Sequence, residues 1–195
     1  MRMTRKNIKT RQSHSISMWK PVVLGLLISV VTLAVVASLQ PSDIVGIGES
    51  PKYRAIVCVY KNNELIDCNH NLVTDIGKEF VEDKLTNAST AGVLQYISLS
   101  NSSQNPDASW TVLPDEITTA GLSRAECNLT DLGTGKWSCE YTFTATDSIS
   151  NVRLAGYNWN ETAGSDNNLF AASNFTSVNL EANDQLKIVW NVTIS

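Results

Sequence analysis

Histidine is almost missing from this chain: two occur in 195 residues, His14 near the start and His70 in the body. The general base of most hydrolytic arrangements therefore has one imidazole to draw on. No Gly-x-Ser-x-Gly elbow is present, so a serine nucleophile of that kind has no support. There is no Cys-x2-4-Cys pair for zinc and no Asp-x-Asp-x-Asp-Gly loop to wrap calcium. The carboxylates that a glycosidase would set a few ångströms apart occur as adjacent pairs, Asp115 with Glu116 and Glu82 with Asp83, whose side chains diverge in a strand or helix. These absences point to a protein that is not an enzyme, with His70 an exposed strand residue and those acids on a solvated surface.

Positive charge is scarce beyond the first 20 residues. All nineteen acidic residues follow position 42, against nine of the fifteen basic ones, so residues 40–195 carry a net charge of −10. Those nine Lys and Arg are scattered singly, whereas nucleic acid requires clustered cations to displace phosphate counterions. Nucleic acid is excluded as a partner. The head has the opposite balance: Arg2, Arg5, Lys6, Lys9, Arg11 and Lys20 with no acid. It leads into eighteen apolar or small residues, 22–39. Hydrocarbon about 30 Å thick takes roughly 20 apolar residues to cross as helix, and flanking positive charge keeps that end cytoplasmic. A secretory h-region is shorter, about 7–15 residues. The reading is a basic cytoplasmic head over 1–20, a transmembrane or signal-anchor segment over 21–39, a juxtamembrane linker over 40–52 and an extracellular domain over 53–195. Val36-Ala37-Ser38, with Pro41 just after, also fits a signal-peptidase site, and cleavage near Ser38 would give a secreted form.

All four cysteines lie on the exported side, where disulfides persist. Three pairings are possible, and spacing favours Cys58 with Cys68 and Cys127 with Cys139. Residues 53–61 and 65–70 read as strands around Asn62-Asn63-Glu64; 122–129 and 136–144 do so around Asp131-Leu132-Gly133-Thr134-Gly135. Directly opposed residues of a symmetric hairpin share one index sum, so these bridges predict odd loops centred on Asn63 and Gly133.

Elsewhere the domain alternates. Segments 94–100, 136–144, 151–159, 169–175 and 185–194 read as strands, the last with Leu186, Ile188, Trp190, Val192 and Ile194 on one face. Thr74 or Asp75 caps a short helix with Ile76, Phe80, Val81 and Leu85 on one side and Lys78, Glu79, Glu82 and Asp83 opposite. The fold class is mainly β: an antiparallel β-sandwich of about seven to nine strands with one short helix, preceded by the N-terminal membrane segment.

Six Asn-x-Ser/Thr sites, at Asn87, Asn101, Asn128, Asn160, Asn174 and Asn191, all follow the apolar run, as glycosylation of an exported domain requires. Two of them test strand register, because a glycosylated Asn must face solvent: Asn191 has the parity of Lys187 and is opposite to Trp190, and Asn128 has that of Arg124 and Glu126, opposite to Cys127. Trp137 and Trp190 fall on core parity. Trp110, in a loop before Pro114, and Tyr157 with Trp159 remain as rings able to stack on sugar. Asp147, Asp166 and Asp184, in Asn- and Ser-rich loops, are the candidate ligands for calcium, and no other cofactor is expected.

Four stretches, Asn71-Leu72-Val73-Thr74 with Gly77, Tyr96-Ile97-Ser98-Leu99, Gly121-Leu122-Ser123-Arg124-Ala125 and Asn183-Asp184-Gln185-Leu186, resemble an uncharacterised β-rich domain of archaeal cell-surface proteins and of tail or fibre-like proteins of tailed viruses. The resemblance covers about 71–195 and implies display or assembly, with the membrane segment and dense sequons favouring a cellular, archaeal setting. Taken together, the expectation is a membrane-anchored or secreted glycoprotein of the cell surface with a structural or adhesive role. Its partners would be the membrane, through the N-terminal helix, and copies of itself or of a surface layer. One alternative is a filament subunit in which 40–52 adds a strand to a neighbour's open sheet edge. Another is a receptor module for extracellular glycan or metal.

Overall fold

Residues 52–88, 92–164 and 167–195 are described by the computed structural model; the basic head, the apolar run, the linker up to residue 51 and Asp166 lie outside them. Alternation draws the strands. In β10 (Gln185–Ile194), Leu186, Ile188, Trp190 and Val192 are at most 1% exposed, while Gln185 and Asn191 face solvent. Its neighbours β1 (Tyr53–Lys61) and β7 (Lys136–Thr144) bury Ala55, Val57 and Val59, and Cys139 and Phe143, in the same way. Ile194 departs from the expected inward face and is 44% exposed, because the core ends at Val192.

The remaining elements are β2 (Glu64–His70), β3 (Leu72–Val73), α1 (Asp75–Thr86), β4 (Tyr96–Ser100), β5 (Ala125–Glu126), β6 (Asn128–Gly133), β8 (Ile149–Asn158) and β9 (Leu169–Leu180). They form two antiparallel sheets of five strands, ordered β2-β1-β10-β7-β6 in sheet A and β3-β9-β8-β4-β5 in sheet B. The described strands number ten rather than about seven to nine: β3 is a two-residue pairing too short to alternate, and the strand expected over 122–129 is two elements in different sheets, β5 and the start of β6, parted at Cys127. Both sit where the chain changes sheet: β2 passes to β3 across Asn71, and β5 passes to β6 across Cys127. Strands that switch sheets in this way make the corners of a sandwich.

One apolar core lies between the sheets, with Trp190 of sheet A against Tyr157 of sheet B at 5.2 Å between ring centroids. Phe170 meets Tyr157 and Tyr53 edge-on. The opposite face of sheet B is also covered, by the connection 101–124. Leu113 and Trp110 of that connection pack on Leu154, Leu169 and Ala172. Ser100 Oγ donates to the Pro114 carbonyl and accepts from the Ser102 N–H. Residues of β8 are therefore buried on both faces.

Both hairpins differ from the symmetric registers expected. Cys58 does oppose Cys68, but past Val59 the register slips, so Tyr60 faces Leu65 and the turn is the two residues Asn62 and Asn63, each at positive φ. Two left-handed residues make the tight turn whose twist suits a hairpin, and asparagine tolerates that conformation. In the second hairpin Cys139 opposes Leu129, not Cys127. Cys127 bonds diagonally to Cys139 from just outside β6, because the turn lies at Thr134 and Gly135, past the expected centre Gly133, and the slip between Asp131 and Gly133 recovers only part of that offset.

Helix α1 is fixed at its start. The Thr74 side chain accepts from the Gly77 N–H and donates to the Leu169 carbonyl, which ties the cap to β9. Gly77 then lies directly on β9, where a Cβ would overlap the Phe170 carbonyl oxygen. Phe80 stacks on Trp159 at 4.6 Å. This contact line turns the rest of the expected apolar face outward: Val81 is 44% and Leu85 83% exposed.

A Gly77→Ala variant tests that approach. Alanine gains up to about 1 kcal/mol of helix propensity, but overpacking against backbone costs about 1–3 kcal/mol. A net loss of stability is expected as a lower urea midpoint, and an unchanged or raised midpoint would contradict it.

Candidate functional site

The outer face of sheet A is the open surface of the sandwich. Register places its side chains in rows across the five strands. One row is His70, Ile56, Asn191, Ser138 and Thr130; the next is Cys68, Cys58, Val189, Glu140 and Asn128. Each of these is exposed or half-buried. Asn191 sits on the central strand and Asn128 on edge strand β6, and both point to solvent as parity required. The Cys58–Cys68 disulfide lies on this face, with Cα atoms 4.1 Å apart, whereas Cys127–Cys139 is turned into the core. Asn87, Asn101 and Asn174 are exposed at the end of α1, just past β4 and on β9. Asn160 is half-buried; its Oδ1 accepts from the Thr162 N–H and its carbonyl from Arg124.

Arg124 and Glu116 depart from the expectation of solvated charge. Their side chains are 1% and 4% exposed and meet as a fork, Nε to Oε1 at 2.9 Å and Nη2 to Oε2 at 2.7 Å. Nη1 donates to Asn168 Oδ1 at 2.7 Å and to the Asn160 carbonyl at 2.9 Å. One guanidinium thus pins the connection over sheet B to the β8–β9 connection. Parity had put Arg124 outside, but Arg124 precedes β5 and is not in the β6–β7 hairpin. Only its one-residue distance from a strand and the acid eight positions earlier hinted at a pair.

The rings proposed to stack on sugar are held by protein. Tyr157 has no exposure, its hydroxyl donates to the Leu94 carbonyl at 3.0 Å, and burial pushes its phenol up to about 12. Its parity in β8 aims it at the core, so the expectation of an exposed ring was wrong. Trp159 is half-buried against Phe80, and Trp110 against the cluster of Leu113 and Leu154. His70 is exposed, with Nδ1 3.3 Å from the Ala55 carbonyl oxygen.

The aspartates proposed for calcium are placed as follows. Asp147 accepts from the Ser148 N–H. Asp184 receives Asn62 Nδ2 at 2.8 Å, the Glu181 N–H at 3.0 Å and Lys61 Nζ at 3.0 Å. These donors, Asn62 foremost, hold its carboxyl at about 2. Asp166 lies outside the described residues. Among the described residues no three of His, Cys, Asp and Glu gather where one ion could be shared. Asp67 is likewise held below its ordinary range, first by the Thr176 N–H, and thereby clasps β2 to β9.

Two concavities stand out among the described residues. One, about 930 Å³, is lined by Val93, Leu94, Leu129, Asp131, Lys136 and Trp137 beside the β6–β7 hairpin. The other, about 570 Å³, lies between α1 and the ends of β1 and β10. Its exposed helix residues, Val81 and Leu85, belong with Ile76 and Phe80 to the one apolar face expected from sequence.

No family model, curated protein or solved structure matches this chain. The stretches that carry the resemblance are structural where they fall: Thr74 caps α1, Gly77 meets β9, Gly121 has positive φ, and Leu99 and Leu186 are buried.

Removing one partner of the buried ion pair should cost far more than removing both. Arg124→Met leaves Glu116 buried and unpaired, with an expected loss of about 3–5 kcal/mol; Arg124→Met with Glu116→Leu should recover most of it. Urea unfolding of the three proteins checks this, and an additive double variant would show the two side chains to be uncoupled.

Acid should weaken the fold through Asp184 and Asp67. Their folded pKa values lie below the ordinary 3.8, so the unfolded chain takes up protons first as pH falls. Their contribution is complete above about pH 5 and is lost as pH falls through the folded values, about 2 for Asp184. The difference in melting temperature between wild type and Asp184→Asn should therefore shrink between pH 5 and about pH 2. A constant difference would mean that ionisation of Asp184 carries no stability.

Proposed function

We propose that this chain is a glycosylated cell-surface protein with a structural or adhesive role and no catalytic step. It is held to the membrane by its N-terminal segment, or released by cleavage near Ser38. The observation that carries the reading is the placement of the sequons: five of the six asparagines are exposed, and they are spread over α1, the end of β4, β6, β9 and β10. Surface asparagines on several sides of a disulfide-bonded domain suit a body coated with sugar and exposed to the exterior. The large aromatics serve the core, and the buried charged pair ties connections together, so both support the same reading. The resemblance to archaeal surface domains points the same way.

A second reading is favoured by one feature. β6 is an edge strand of sheet A with every residue exposed, so its outer backbone groups are open to an added strand. A filament subunit would use that edge.

Native protein, analysed by flotation, N-terminal sequencing and glycopeptide mapping, separates the readings. The anchored glycoprotein should float with membranes, begin before residue 21 and carry sugar on Asn128 and Asn191. A mature start near Leu39 with SDS-resistant ladders supports the filament instead. Unmodified asparagines on a cytosolic protein overturn both.

A further inference from the structure

The groove between α1 and the strand ends has an unusual position. Tyr53, Phe170, Ile194, Val81 and Leu85 line it, with Lys78 as the charged residue on its rim, paired to Asp75 at 2.7 Å. It opens where the domain joins the rest of the chain, since the Lys52 and Ser195 backbones exchange hydrogen bonds of 2.7 and 3.1 Å beside it. The upstream apolar run ends at Leu39, and the twelve residues 40–51 intervene. Fully extended, a tether of that length reaches about 40 Å.

Resting on the membrane-anchored reading, we propose that this end of the domain docks on the lipid surface, with Val81 and Leu85 entering the boundary between headgroups and acyl chains. Three observations converge on lipid. The exposed apolar side chains stand four residues apart on one helix, the spacing by which a surface helix presents a stripe to a membrane. None of the six sequon asparagines lines the groove, so sugar at those positions leaves the face free. Asn87, which caps the same helix at positive φ, is outside the groove's lining. On the anchored reading the tether, at most about 40 Å long, keeps the patch within reach of the bilayer.

All native cysteines are in disulfides, so a Leu85→Cys variant of the full chain carries one thiol for a nitroxide label. At 83% exposure the substitution leaves the core untouched. The protein is reconstituted in phosphatidylcholine vesicles, and the label's collisions with oxygen and with a water-soluble nickel chelate are measured. A Thr142→Cys variant on the outer face of sheet A reports open solvent, and Val81→Cys is a second position. Docking about 5–10 Å into the interface should raise the oxygen-to-nickel ratio at 85 about tenfold over that at 142. A ratio equal to that at 142, in protein that floats with the vesicles, overturns the lipid contact and leaves the anchor standing. Exclusion of both reagents means that protein fills the groove, a second copy or the tether, and also overturns it. Protein that does not float refutes the anchor and the docking together.

Discussion

Trp190 stands with no solvent exposure in the middle of the central strand of sheet A, and Tyr157 of sheet B packs against it. That contact needs both sheets, and the rest of the fold keeps it dry. An indole and a phenol together bury several hundred square ångströms, so separating the sheets here would cost more than any surface interaction in the protein returns. The switches at Asn71 and Cys127 carry the chain from one sheet to the other on opposite sides of the core, and Phe170, Tyr53 and Phe80 extend the packing toward α1. The Cys127–Cys139 bridge joins one switch point to the strand that pairs with Trp190.

The two sheets have outer faces solved in different ways. Sheet A alternates cleanly and leaves its outer side chains in water. Sheet B buries β8 on both faces, which forces the connection 101–124 to act as a layer of its own. A layer without regular structure must satisfy its backbone otherwise. It does so partly through Ser100 Oγ, partly through the bridge between Ser100 and Glu116 and the Ile117 N–H to the Leu99 carbonyl, while Arg124 fixes its end through side-chain contacts. A buried guanidinium is tolerable because its donors are matched by a carboxylate, an amide and a carbonyl, and that requirement gives the connection one conformation.

Legibility in the sequence followed this division. The sheet A strands β1, β7 and β10 were readable to the residue, since a period of two with one face in water is an unambiguous signal. Both disulfides were readable as neighbours, but their registers were not. A one-residue bulge moves a turn without altering composition, as at Asn62-Asn63 and Thr134-Gly135. In β8 and the first half of β9 burial on both faces erases alternation; β9 then runs on to Leu180, and the reading stopped at residue 175 because Thr176 and Ser177 are both exposed and break the period of two. Tyr157 was misassigned for the same reason. Glu116 with Arg124 could not be found by spacing, because the contact spans two irregular segments. The outward turn of Leu85 depends on Gly77 meeting β9, which is a tertiary fact.

The same division gives the domain its orientation. Sheet A presents two sequons, one of them on its central strand, so sugar at Asn191 would stand over the middle of a face that the described residues leave open. Sugar there would oppose face-to-face stacking of copies and would leave edges and ends for assembly. At one edge β6 is bare; at the other, Asp67 and Asn69 bind the backbone of β9 and draw β2 against its neighbour sheet. At the end where the chain enters, the surface is apolar. A face bearing two sequons, an edge strand exposed along its length and an apolar groove beside Lys52 are three different chemistries on one small body, and each would suit a different partner: sugar and solvent, an added strand and, on the docking proposed above, lipid.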